Sequence, residues 1–201
     1  MLYDSTSSPL LPTSTDDLCK RSNDASPRPA GVRDAAIVCV LYGAGLRRSE
    51  IIALDVADYD AQNGALTVRR GKGSKARITY LPRGGQTRMA RWLEVLEQKG
   101  LPLDGPLFRP IHRSGKIFDG PMTDQAILAL LQRRALGAGI KAFSPHDLRR
   151  TFISDLLDAG ADIATVQKLA GHSNVQTTAR YDRRGEVAKQ RAASLLHIPE
   201  D

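Results

Sequence analysis

The run His146-Asp147-Leu148-Arg149-Arg150 follows Ser144 and Pro145, residue types that favour a helix N-cap and the first helical position. His146 and Arg149 are three residues apart, so on a helix their side chains share a face, while Leu148, Phe152 and Leu156 can turn to a core. An imidazole and a guanidinium beside a helix N-terminus, where backbone N–H groups and the macrodipole also favour anions, suit a phosphate. Taken alone, a histidine and two arginines on a helix are more often an ordinary solvated face than a catalytic site. Their weight depends on what else the chain carries.

Three further groups carry chemistry of the same kind. Gly45-Leu46-Arg47-Arg48-Ser49-Glu50 sets two arginines ahead of a carboxylate, Gly71-Lys72-Gly73 places a lysine between glycines, and Gly171-His172-Ser173 is followed by Tyr181. Each has an ordinary reading: Lys72 as an exposed turn lysine, Tyr181 as a packing residue, His172 as a helix C-cap contact, Glu50 as a surface ion pair of little worth. Order along the chain separates the two readings. The ordered set resembles the tyrosine recombinase (phage integrase) family. Leu41 to Leu54 is similar to the box around that family's first catalytic arginine, Ser144 to Phe152 to the second box, and Leu169 to Ser173 to the third, with Tyr181 at the family's distance beyond. The resemblance runs from about residue 31 to 196, and Arg150 departs from it, since many members have a second histidine there. His112 and His197 match no box and read as ordinary residues.

The resemblance implies that Arg47, Arg149 and His172 hold a scissile phosphate, that Lys72 and His146 handle protons, that Glu50 supports the site and that Tyr181 attacks. It further implies an enzyme that cuts and rejoins double-stranded DNA through a 3′-phosphotyrosyl link, working as a homo-oligomer, a tetramer, on paired DNA sites, with a monomer in free solution as the alternative. The alternative is a truncated relative that binds DNA without completing strand exchange. A tyrosine hydroxyl, with a reference pKa of about 10, needs a nearby acceptor or positive field to attack at neutral pH. Guanidinium forks and an imidazole, fixed in advance, meet the demand of the more highly coordinated phosphate without a metal. No clustered carboxylates with metal-ligand spacing appear, so neither a metal nor another cofactor is expected. Most members place a helical DNA-clamping domain first; residues 1–30 are too few and too polar to supply it, so that domain is expected to be absent. Residues 31–201 are then the catalytic domain, with 1–30 a flexible segment or linker.

The elements that must position these groups are mostly helical. An apolar stripe through Ile37, Val38, Val40 and Leu41, starting near Val32 and ending at Gly43 and Gly45, predicts a first core helix, and Ser49 to Leu54 a second. Two runs rich in β-branched residues, Ala65 to Arg70 and Ala76 to Leu81, flank Gly71-Lys72-Gly73-Ser74-Lys75 and predict a hairpin with Lys72 at its tip. Met89, Trp92, Leu93 and Leu96 predict a helix over Gln86 to Lys99, and another spans Thr123 to Leu136 after a turn-rich stretch from Leu107 to Phe118. Gly160 closes the helix that Ser144 opens; Asp162 and Gly171 bound the next; Ser173 is placed to cap a short helix leading to Tyr181. A last helix is expected from Gly185 to Leu196, docking on a neighbouring subunit or in cis, and a short one from Thr15 to Asn23. The fold class is α+β, mainly α-helical, with a small antiparallel β-sheet near the hairpin.

The bulk numbers are compatible with all this. A chain of 201 residues with 41% hydrophobic content suits one domain with or without a tail. A formal charge of +7 leaves a basic surface that attracts polyanions. Cys19 and Cys39 are too few to staple the chain, and no apolar run approaches the roughly 20 residues of a membrane span; a cytoplasmic protein is expected.

Overall fold

The computed structural model describes residues 28–69 and 76–198. The short helix expected over Thr15 to Asn23, and the hairpin tip with Lys72, lie outside the described residues. Helix α1 (Pro29–Gly43) runs through the middle of the molecule and packs against both α3 (Arg83–Gln98) and α5 (Pro145–Asp158). It begins at Pro29, ahead of Val32, because proline's fixed φ and missing N–H suit the first turn. Its residues from Ala35 to Leu41 are all buried, which is what a helix apolar nearly all round requires. Along α3, Met89, Trp92 and Leu96 recur on the buried face, and the Trp92 indole N–H donates to the Leu107 carbonyl at 2.8 Å, so its polar end is satisfied inside the core.

After α2 (Arg48–Ile52) a 3₁₀ turn (Val56–Asp58) leads into a three-stranded antiparallel sheet of β1 (Tyr59–Asp60), β2 (Ala65–Val68) and β3 (Arg77–Tyr80). The two expected strands are present; β1, only two residues long, is too short for an alternation to signal it. Register pairs Leu66 with Thr79 and Val68 with Arg77, so Arg77 and Thr79 share the inward face with buried Leu66 and Val68. The apolar Ile78 and Tyr80 face outward, half-exposed. The Thr79 hydroxyl donates to the Ala44 carbonyl at 3.1 Å and ties β3 to the end of α1.

The caps of the last third are largely those expected. Thr123 caps α4 (Asp124–Gly137). Ser144 and Asp147 form a reciprocal capping box at the start of α5, and Asp162 caps α6 (Ile163–Ala170), which Gly171 closes in the left-handed conformation. For α7 (Val175–Ala179) the cap is Asn174, not Ser173: the Asn174 side chain accepts from the Gln176 N–H at 2.8 Å. Helix α8 (Gly185–Ala193) stops short of Leu196, and Leu195 and Leu196 are exposed. Among the described residues no helix is long and apolar enough to cross a membrane. Two cores result. The larger is built on α1, α3, α4 and the sheet; the smaller comprises Phe152, Ile153, Leu157, Val166 and Ala170, with Tyr42 and Tyr181 packed against it. The candidate site lies along their seam.

Candidate active site

The chain reaches the site through a tight turn. Gly45 has φ of 62°, and a Cβ there would lie 2.2 Å from the Phe152 ring, so only glycine lets the turn sit against α5. Two residues on, Arg47 precedes the first turn of α2, and Glu50 reaches back to it. The Glu50 carboxylate accepts from the Arg47 backbone N–H at 2.8 Å and from its guanidinium at 2.7 Å. It also accepts a two-pronged pair of bonds from Arg77, both at 2.8 Å. Glu50 is only 2% exposed. Burial alone would raise its pKa, but the Arg77 hydrogen bonds, helped by those from Arg47, outweigh it and hold the carboxyl at about 2.

Three arginines from three different elements converge on the C-terminus of α6. Arg77 Nε donates to the Leu169 carbonyl at 3.0 Å, Arg149 donates to the Ala170 carbonyl, and Arg47 to the Gly171 carbonyl at 3.2 Å. Successive carbonyls at a helix end lack intrahelical partners and carry the negative pole of the dipole, so cations gather there. Arg149 spends its other prong on the Gly45 carbonyl, which locks α5, α6 and the turn before Arg47 together. Burial, then the neighbouring Arg47, lowers the Arg149 pKa to about 10, which still leaves it charged at neutral pH. Gly171 sits where a Cβ would come within 2.8 Å of the Arg77 side chain.

His172 follows directly. Its Nδ1 lies 2.9 Å from the Thr178 hydroxyl, and its ring stacks against Tyr181 with centroids 6.5 Å apart and planes 25° apart. Burial, then the positive charges of Arg149, Arg47 and Arg77, pushes its pKa down to about 4, so the imidazole is neutral at neutral pH. Tyr181, partly exposed at the end of α7, rests on the smaller core, and its N–H donates to the Thr178 carbonyl at 3.0 Å. His146 is exposed at the start of α5 and lines an open cleft of about 470 Å³ with Arg47, Arg48, Ser49, Ser144 and Arg149.

The fold therefore brings Arg47, Glu50, Arg149, His172 and Tyr181 around one helix end, with His146 on the rim of the adjoining cleft. Lys72 lies outside the described residues. Two residues of this cluster were not singled out from the sequence, Arg77 and Thr178. Strand alternation misleads at Arg77, because the apolar residues of β3 are the outward ones. Taken together, two guanidiniums bond a single carboxylate and a third, Arg149, held by backbone carbonyls, adds its charge beside them in a partly buried place that opens onto a cleft. Such a cluster is short of negative charge, and its field attracts an anion. Among the described residues no group of three or more His, Cys, Asp or Glu side chains could hold a metal ion.

A mainly helical domain with a small antiparallel sheet, its arginines and histidine gathered at a helix end beside a tyrosine, matches a known class. The chain belongs to the phage integrase family, whose model matches residues 12–186. The tyrosine recombinase XerD of Xanthomonas campestris pv. campestris is 38% identical over 177 residues, which cover 83% of this chain and 52% of that protein. The tyrosine recombinase XerA of Pyrococcus furiosus is 37% identical over 175 residues, covering 86% of this chain and 58% of the relative. The chain thus spans about half the length of the curated relatives it matches. Among solved structures, a XerA recombinase superposes with a TM-score of 0.69 at 28% identity, over 96% of this chain and 67% of that one. The Tn1549 transposon integrase, solved in complex with transposon right end DNA, gives 0.73 at 20% identity over 97% and 68%.

Proposed function

We propose that this chain, as a site-specific tyrosine recombinase, cleaves and rejoins double-stranded DNA through a covalent 3′-phosphotyrosyl intermediate. The Tyr181 hydroxyl oxygen attacks the phosphorus, the bond to the 5′ oxygen breaks, and the tyrosine proton leaves while the 5′ oxygen gains one. One phosphodiester replaces another, so the bond energy is kept for rejoining. Arg47, Arg149 and His172 donate to the non-bridging oxygens; His146, on the cleft rim, takes up a proton; Lys72 is assigned the protonation of the leaving oxygen. Glu50 and Arg77 hold Arg47 and the α6 terminus in place. The enzyme acts as a homo-oligomer, a tetramer, on paired sites.

The observation that carries this reading is the excess of guanidinium over carboxylate around Glu50, which opens on a cleft, at the helix end where Tyr181 stacks on the neutral His172. Donors already fixed by backbone carbonyls need no reorganisation when charge develops on the phosphate. The names of the relatives, and the DNA in the Tn1549 complex, agree with it. The test is incubation with a mixed-sequence duplex pool in EDTA, followed by denaturing electrophoresis. An SDS-resistant protein–DNA adduct is expected from the native chain and none from Tyr181→Phe, which loses only the nucleophilic oxygen. DNA retention without any adduct would instead make the chain a binding module.

A further inference from the structure

Thr178 has no exposed surface, and its hydroxyl oxygen is 2.9 Å from His172 Nδ1. Among the described residues this is the one hydrogen bond shown for that hydroxyl. The direction of the bond follows from satisfying the buried groups. If Nδ1–H were the donor, the hydroxyl's own hydrogen would be left in the interior with no acceptor, at a cost of about 1–3 kcal/mol. If the hydroxyl donates, its hydrogen and the Nδ1 lone pair are both used, and the ring's remaining hydrogen must sit on Nε2. The Thr178 carbonyl also accepts from the Tyr181 N–H at 3.0 Å, so one residue holds both the imidazole and the backbone of the nucleophile.

We infer that Thr178 is a positioning residue that fixes His172 as the Nε2–H tautomer, so that the ring offers an N–H, and not a lone pair, to the anion beside Tyr181. This rests on the recombinase reading for its chemical purpose, though the tautomer itself does not. Neutrality of the ring gives the tautomer meaning: a doubly protonated imidazole would donate from both nitrogens whatever Thr178 did. An Nε2 lone pair aimed at a phosphate oxygen would repel it, and Arg149 and Arg47 would then hold the anion without the third donor.

The experiment has two arms, run on the whole chain with 15N-labelled histidine at neutral pH. In the first, the native protein should show a pyridine-type nitrogen at Nδ1 and a pyrrole-type nitrogen at Nε2 of His172. Thr178→Val, nearly isosteric, should lose this pattern to a mixture, and Thr178→Ser should keep it. In the second, adduct formation on the mixed-sequence duplex pool should slow in Thr178→Val on the order of 10- to 100-fold, by analogy with the hydrogen-bond partners that orient metal-bound histidines, and recover in Thr178→Ser. A pyrrole-type Nδ1 in the native protein, or an adduct rate that Thr178→Val leaves unchanged, overturns the inference. Failure of the native chain to form any adduct would sink the recombinase reading, while the nitrogen shifts would still decide the tautomer.

Discussion

Among the described residues two clusters of buried or half-buried arginines stand one at each end of α1, and they do opposite things. At the far end, Arg33 and Arg134 share Asp34, and Arg33 also donates to the Arg109 carbonyl at 3.0 Å. Arg109, fully buried, donates to the carbonyls of Pro102, Asp104 and Pro106 and pairs with Asp119. There three guanidiniums meet two carboxylates, and Arg109 pins the turn-rich stretch after α3 to the core. At the site end, Arg47 and Arg77 both bond Glu50 while Arg149 beside them rests on backbone carbonyls alone, and the Arg47 side chain remains 35% exposed toward a cleft. A buried arginine is therefore not in itself a functional sign. What distinguishes the site is missing negative charge together with an opening through which an anion can supply it.

That contrast can be broken most severely at Asp34. Asp34→Ala strands Arg33 and Arg134 without their carboxylate and should destabilise the fold by about 3–5 kcal/mol, the usual cost of removing one partner of a buried pair. Adduct formation per folded molecule, at a temperature where the variant is folded, should stay near normal. A large loss of adduct with little change in melting would show the far cluster to be functional after all.

The opposite pattern is expected at the other end. Arg47→Ala and Arg149→Ala should each slow single-turnover cleavage by about 100-fold or more, the effect of losing one preorganised donor, and Arg149→Lys should not restore it because the two-carbonyl fork is lost. Near-native cleavage by either alanine variant would remove that residue from the site.

The smallest effect concerns acid. The folded Glu50 pKa of about 2 lies below its ordinary 4.5, so its contribution to stability is complete above the ordinary value and drains away as pH falls toward 2. About 1–2 kcal/mol should be gone by about pH 3.5 from this group alone. Urea unfolding of the native chain and Glu50→Gln across this range should show a shallower slope in the variant; parallel slopes would mean the carboxylate is not held as described.

Much of this was legible in the residues themselves. Ser144, Pro145, Asp162, Gly160 and Gly171 punctuate α5 and α6 through local cap chemistry, which needs no tertiary context, and the β2 and β3 runs carry enough β-branched residues to declare themselves. Arg47, Glu50, Arg149, His172 and Tyr181 were visible as an ordered set, and the fold gathers them. Arg77 was not, because its importance comes from β-register: facing Val68 turns it inward to Glu50, against the apolar pattern of its own strand. Thr178 was hidden for a related reason, since a threonine in a short helix gains meaning only when the chain folds back to set it against His172. The Ser173 cap failed by one residue, because Asn174 offers the α7 N-terminus an equally good side chain one step closer. Pro29, Val56 and β1 are local features whose boundaries depend on what they pack against.

In the proposed reaction the tyrosine beside the arginine-ringed helix end becomes covalently joined to DNA. The most direct measurement is mass spectrometry of trapped adducts after nuclease and protease digestion. A nucleotide remnant, attached through its 3′ phosphate, is expected on the peptide that contains Tyr181. A remnant on any other residue, or adducts that persist unchanged in Tyr181→Phe, would contradict it.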